Sequence, residues 1–225
     1  MFDLKQITTL LIDMDGTVVD SLPQLKLMYY DFLKRNGIEG TDQEFKELNG
    51  AFLSDAIKML NEKYRLHLDT DQASQDFIQR LRDYYAKEAV LFRGVEDFLS
   101  YAKKMGLKTA LVTSASPIHA EALLKGTNIA RFFDAIITPN SKVIKGKPDP
   151  AIYLEALKVL NVKPNEAIAV EDASNGVRAA VSANIYTYHI FSEKLPNDLE
   201  GENLVKKVAD WSEILNAFWR INEPS

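Results

Sequence analysis

Hydrophobic positions along the chain follow two patterns. Short, continuously apolar runs lie at residues 8–12, 109–113, 135–138 and 167–170, with a fifth at 185–190. Continuous rather than alternating apolarity marks strands covered on both faces, as in parallel α/β sheets. Between the later runs, helix-period stretches occupy 95–105, stopped by Gly106; 117–125, stopped by Gly126; 150–160; and 175–182. A last helix is expected at 211–219, after a polar loop at 193–202. Strand and helix alternating over short links predict right-handed crossovers and an α/β fold with a doubly wound parallel sheet, Rossmann-like in plan.

The rhythm breaks after the first strand. Up to about Leu91 the apolar positions repeat only at helical spacing: Leu25, Met28, Tyr29, Phe32 and Leu33; then Ala56, Ile57, Met59 and Leu60; then Phe77, Ile78, Leu81 and Tyr84. The expected organisation is an α/β core at 1–19 and 91–225 carrying an inserted α-helical cap at 20–90, hinged near 18–22 and 88–94. An insertion after the first strand sits over the carboxyl ends of the sheet, where open α/β folds hold ligands.

Composition narrows the chemistry. The 225 residues carry a net charge of -5 with lysines and arginines scattered, which argues against nucleic acid as partner. Lys206-Lys207 reads as a solvated helix face. Cysteine is absent, so disulfides, thiolate metal sites and cysteine nucleophiles are excluded. The first apolar run is interrupted by Asp13 and is too short to span a bilayer, so no membrane partner and a cytoplasmic location are expected.

Polar residues gather where the apolar runs stop. Asp13-Met14-Asp15-Gly16-Thr17 ends the first, Thr113-Ser114 the second and Glu171-Asp172 the fourth, while Lys147 lies just past the third. Asp15-Gly16 alone also reads as a solvated turn. In a parallel sheet, however, these strand ends share one edge, and two Asp at i and i+2 point to the same side of an extended backbone. Carboxylates that close need a neutralising partner, and carboxylates with a lysine and a hydroxyl in one crevice suit Mg2+ and a phosphoryl group. Neither a G-x-G-x-x-G nor a G-x-x-x-x-G-K-[ST] string occurs.

Together these motifs resemble the haloacid dehalogenase (HAD) superfamily, in the branch of phosphatases and phosphomutases with a helical cap after the first motif. Asp13 to Thr17 look like the first motif, Thr113 the second, Lys147-Pro148 the third, and Glu171-Asp172 followed by Gly176 the fourth. The resemblance implies Asp13 as nucleophile, Asp15 as general acid/base, Gly16, Thr113, Ser114 and Lys147 around the phosphate, and Mg2+ held by Asp13, Glu171, Asp172 and the Asp15 carbonyl. Thr113 is favoured over Ser114 as the second-motif hydroxyl, and Glu171 is allowed to act through water or Lys147. The implied activity is hydrolysis of a small phosphorylated metabolite through an aspartyl-phosphate, by a monomer or weak homodimer. The alternatives are a sugar phosphomutase of the β-phosphoglucomutase type and a non-catalytic phospho-ligand-binding protein. Leu25 and Leu53 stand where such mutases carry a His and an Arg, and Val19-Asp20-Ser21-Leu22-Pro23 looks like the phosphoglycolate-phosphatase type, so hydrolysis is preferred. Specificity is expected from Lys26, Tyr29, Asn49, Phe52 and Lys58, with Tyr29 and Phe52 equally readable as cap core. His67, His119 and His189 are left out of the mechanism; His119, which opens a helix after the Thr113 loop, is placed either in the lining of the crevice or, by preference, in a surface or capping role.

Overall fold

The computed structural model describes residues 4–49, 51–140, 143, 145–191, 199 and 204–222. Gly50 and most of the loop at 193–202 lie outside them. Six strands form one sheet: β1 (Thr9–Ile12), β2 (Lys108–Val112), β3 (Ala135–Ile137), β4 (Ala167–Glu171), β5 (Tyr186–Ile190) and β6 (Val205–Val208). Their order is β3-β2-β1-β4-β5-β6 and every pairing is parallel. The chain order reverses beside β1, which lies between β2 and β4, and such switch points are where doubly wound sheets open a crevice.

Period-two alternation divides the strand side chains between two cores. Leu10, Ile12, Leu111, Ile168 and Val170 join Phe98, Leu99, Leu123, Trp211 and Phe218. The residues between them, Leu11, Ala110, Val112 and Ala169, face Ile152, Tyr153, Ala156 and Ala180 on the other side. Helices α5 (Val95–Lys104), α6 (Pro117–Gly126) and α9 (Trp211–Asn222) therefore cover one face, and α7 (Ala151–Leu160) and α8 (Ser174–Ser182) the other. Leu10, Leu11 and Ile12 have no exposed surface; burial of such side chains is worth roughly 1.5–3 kcal/mol each, which commits β1 to the centre of the sheet.

Four helices follow β1: α1 (Leu22–Arg35), α2 (Asp42–Leu48), α3 (Leu53–Tyr64) and α4 (Thr70–Lys87). Caps fix their starts. The Thr41 hydroxyl accepts the Glu44 N–H at 3.1 Å, and the Asp69 carboxylate accepts the N–H groups of Asp71 and Gln72. Tyr29, Phe32, Leu33, Ile57 and Leu60 form their own small core. Helix α4 faces both ways, since Phe77 packs into that core while Leu81 and Tyr85 belong to the core of the sheet. The two connecting segments run side by side, with Asp20 N–H on the Val90 carbonyl and Phe92 N–H on the Val18 carbonyl, both at 3.0 Å.

Two sequence expectations need correction. Lys206 and Lys207 are not on a helix: they are the exposed middle of the edge strand β6, and Lys206 lies over the Tyr188 ring and near Glu213. Lysines on an edge strand block pairing with other chains, and Val205 and Val208 are too few to have signalled a strand. Helix α2, with only Phe45 and Leu48 as apolar anchors, has no counterpart in the apolar pattern.

Candidate active site

Asp13 is the first residue past β1, and its N–H still reaches the Val170 carbonyl of β4 at 3.0 Å. The chain then turns back. Val18 and Val19 both donate to the Met14 carbonyl, at 2.9 and 3.1 Å, with Gly16 at φ +75°. That conformation favours glycine, and a Cβ there would also run into the Asp172 carboxylate. Gly176, at the start of α8, leaves the matching space for the Glu171 carboxylate.

Lys147, whose peptide bond to Pro148 is cis, enters this crevice from the segment between β3 and α7. Its ammonium donates to Asp13 Oδ1 at 2.5 Å, Glu171 Oε1 at 2.6 Å and the Val112 carbonyl at 3.2 Å. The Tyr153 hydroxyl of α7 also donates to Glu171 Oε1. Glu171 thus orients Lys147 through Oε1. Asp172 accepts from the Thr17 hydroxyl at 3.2 Å, and its carbonyl accepts His189 Nε2–H at 2.8 Å. Carboxylate oxygens of Asp13, Glu171 and Asp172 lie within 4.8 Å of one another. Thr113 ends β2 with its hydroxyl accepting the Ala115 N–H at 3.0 Å, and both Thr113 and Ser114 line the cavity above.

Asp15 takes a different direction. Its Oδ1 accepts the Ser21 hydroxyl at 2.5 Å and the Tyr85 hydroxyl at 2.6 Å, so a residue from the end of α4 holds a residue of the first motif.

Electrostatics follow from burial. Loss of water raises the Asp15 carboxyl from 3.8 to about 6, even though Ser21 and Tyr85 favour its charged form. Burial and then Asp13 push Glu171 to about 7 against the pull of Lys147. Asp172 is driven well above the ordinary carboxylate range, by burial first and then by Asp13 and Glu171. For Lys147 burial favours the neutral amine, but Asp13 and Glu171 outweigh it and raise the ammonium above its ordinary 10.5. One ammonium does not balance this set. A hard divalent cation fits the deficit, because an all-oxygen donor set with surplus negative charge is what such ions select.

The cavity over these groups measures about 440 Å³ and runs up between the four inserted helices. Asp13, Asp15, Thr113, Ser114, Lys147, Glu171 and Asp172 all line it, as do Leu25, Tyr29, Asn49, Phe52 and Leu53. Lys26 instead pairs with Asp42 at 2.8 Å, and Lys58 is exposed outside the lining. Tyr29 is both buried core and cavity wall. His119 is not on the surface but lines the cavity, the less favoured of its two expected places. It is 2% exposed, accepts from the Ser116 hydroxyl at the start of α6, and donates through Nε2 to the Ile78 carbonyl of α4. Burial lowers its pKa, which keeps the ring neutral. Thr17, Ser21, Tyr85, Tyr153 and His189 complete the site, and sequence reasoning named none of them as partners. Only Thr17 and Ser21, by their nearness to Asp13 and Asp15, offered a local signal.

The model of the haloacid dehalogenase-like hydrolase family matches residues 7–184, and the chain belongs to that family of hydrolases. Protein SUPPRESSOR OF QUENCHING 1, chloroplastic, of Arabidopsis thaliana is 32% identical over 190 residues, 81% of this chain but 18% of that much longer protein. A phosphoglycolate phosphatase of Colwellia psychrerythraea is 30% identical over 196 residues, 81% of this chain and 83% of its own. In fold, the chain is similar to CbbY from Rhodobacter sphaeroides in complex with phosphate, with a TM-score of 0.78, 24% identity and coverage of 92% and 96%.

Proposed function

We propose that the chain is a Mg2+-dependent phosphomonoester hydrolase that transfers the phosphoryl group to Asp13 and then to water. The observation that carries this reading is the Lys147 ammonium, bonded to Asp13 at 2.5 Å and Glu171 at 2.6 Å on the floor of a cavity also lined by Thr113, Asp15 and Asp172. Family membership and relatives named as phosphatases support it.

Asp13 and Asp172, with the Asp15 carbonyl, would hold Mg2+; bound there, the cation offsets charge on the phosphoryl oxygens and lets an anionic nucleophile approach. Lys147 engages Oδ1 of Asp13, leaving Oδ2 to attack phosphorus. Lys147 and the hydroxyls at the end of β2 stabilise charge on the equatorial oxygens. As the bond to the leaving oxygen breaks, Asp15 gives that oxygen its proton. Asp15, now a carboxylate, takes a proton from the water that attacks the phosphorylated Asp13, which restores both residues and releases phosphate. Glu171 and Tyr153 position Lys147. The inserted helices act as a cap that excludes water until the covalent intermediate has formed. The working unit of this reading is a monomer or weak homodimer in the cytoplasm; no helix among the described residues is long and apolar enough to cross a membrane.

Leu25 and Leu53 line the cavity where a mutase would need polar groups for a second phosphate, so hydrolysis is favoured over transfer within a sugar phosphate. With nitrophenyl phosphate and Mg2+, Asp13→Asn is expected to lower turnover by a factor on the order of 10⁴ or more. Retained activity would overturn the assignment.

A further inference from the structure

The cavity has a polar floor and an apolar upper wall. Among the described lining residues the charged groups are Asp13, Asp15, Lys147, Glu171 and Asp172, all at the strand ends or the segments beside them. Above them, the four inserted helices present Leu25, Leu48, Leu53, Ile57, Phe77 and Leu81, among others. Several of these are only half-buried, so they keep apolar surface turned to solvent or cavity. Two hydroxyls on that wall are committed elsewhere, which leaves the Ser54 hydroxyl and the Asn49 amide as the other polar groups among its lining residues. Tyr29 donates to Glu44 and accepts from the Thr41 N–H at 3.0 Å, and Ser74 donates to the Thr70 carbonyl at 2.6 Å. The cap lysines closest in sequence to the wall, Lys26 and Lys58, do not line it.

A polyol or a second phosphate held here would lose its water and gain few partners beyond Asn49 and Ser54, which costs affinity for each group left unpaired. A hydrocarbon leaving group would instead bury against the wall. Building on the hydrolase reading, we propose that the substrate is a monophosphate whose leaving group is an uncharged, largely apolar alcohol, aliphatic or aromatic, rather than a sugar, a hydroxy acid or a bisphosphate.

Primary alkyl monophosphates test this cleanly, because leaving-group acidity barely changes along the series. Phosphate release with Mg2+ is measured for methyl, propyl, butyl and hexyl phosphate, against glycerol phosphate, phosphoglycolate and glucose 6-phosphate, with acetyl phosphate as an activated control. Expected is a rise in kcat/KM of about two- to fourfold per methylene, and propyl phosphate at least about tenfold ahead of glycerol phosphate at equal carbon number. A flat or inverted series, or preference for the polyol or acid, overturns this inference while leaving the hydrolase reading intact. No release from any compound, acetyl phosphate included, sinks the hydrolase reading and this inference with it. Leu53→Gln and Leu25→Gln are expected to lower the hexyl-to-methyl ratio, a quantity independent of how much of each variant folds; an unchanged ratio in both would place the chain-length effect outside the cap wall and overturn the assignment.

Discussion

A carboxyl group that must give up a proton in one half-reaction and take one in the other works best with a pKa near the working pH. Asp15 is moved in that direction by burial, to about 6, and the Ser21 and Tyr85 hydroxyls limit the shift. The sign of its effect on stability follows. The folded chain retains a proton between 3.8 and about 6 that the unfolded chain has released, so stability from this group is full below 3.8 and falls as pH rises through that window. Without Mg2+, urea unfolding of the wild type is expected to lose stability relative to Asp15→Asn between those pH values, by at most about 3 kcal/mol. That figure is a ceiling because Asp15 keeps partial exposure, and water screens what it reaches. A difference independent of pH would contradict the assigned shift. The residues legible beforehand were those bound to strand ends, Asp13, Asp15, Thr113, Lys147 and Glu171-Asp172, because one sheet edge collects them whatever the packing. Tyr85 and Tyr153 were not legible: each sits in a helix-period apolar set, and only tertiary docking turns its hydroxyl to Asp15 or Glu171.

Among the elements, the strands covered on both faces announced themselves, and so did the edge strand β3, whose three residues are all apolar although Ile136 is largely exposed. β1, β2 and β4 are apolar throughout because helices lie on either side. β6 is an edge whose exposed lysines erase the signal, and α2 is too short for its two apolar residues to show a period. Helix α4 of the insertion packs directly on α6. A Cβ on Gly126 would meet the Tyr85 and Ala86 carbonyl oxygens at 2.7 and 2.8 Å, so the two backbones meet with no room for a side chain. Gly126→Ala must push these helices apart, at a cost of about 1–3 kcal/mol for overpacking, and carry Tyr85 away from Asp15. Expected are a lower urea midpoint and a shift of the activity–pH profile toward that of Tyr85→Phe. A midpoint and profile like wild type would show that the helices are not held at this distance.

At the scale of the whole molecule, the two connecting segments form a narrow paired ribbon, Asp20 to Val90 and Val18 to Phe92, and this is where the inserted helices would pivot. Opening about this ribbon would break the Tyr85–Asp15 and His119–Ile78 hydrogen bonds, both of which cross from α4 to the rest of the chain. Solution scattering is expected to give a smaller radius of gyration with orthovanadate plus Mg2+ than without ligand. Equal radii would count against a moving cap.

One contact reaches across nearly the full length of the chain. The indole N–H of Trp211, at the head of α9, donates to the Thr17 carbonyl at 3.0 Å, with no exposed surface on either residue. The turn that carries Asp13 and Asp15 is therefore pinned by a residue 194 positions further along the chain. Support for the nucleophile thus comes from an element that never touches the cavity, and a change confined to α9 can loosen the catalytic turn from outside it.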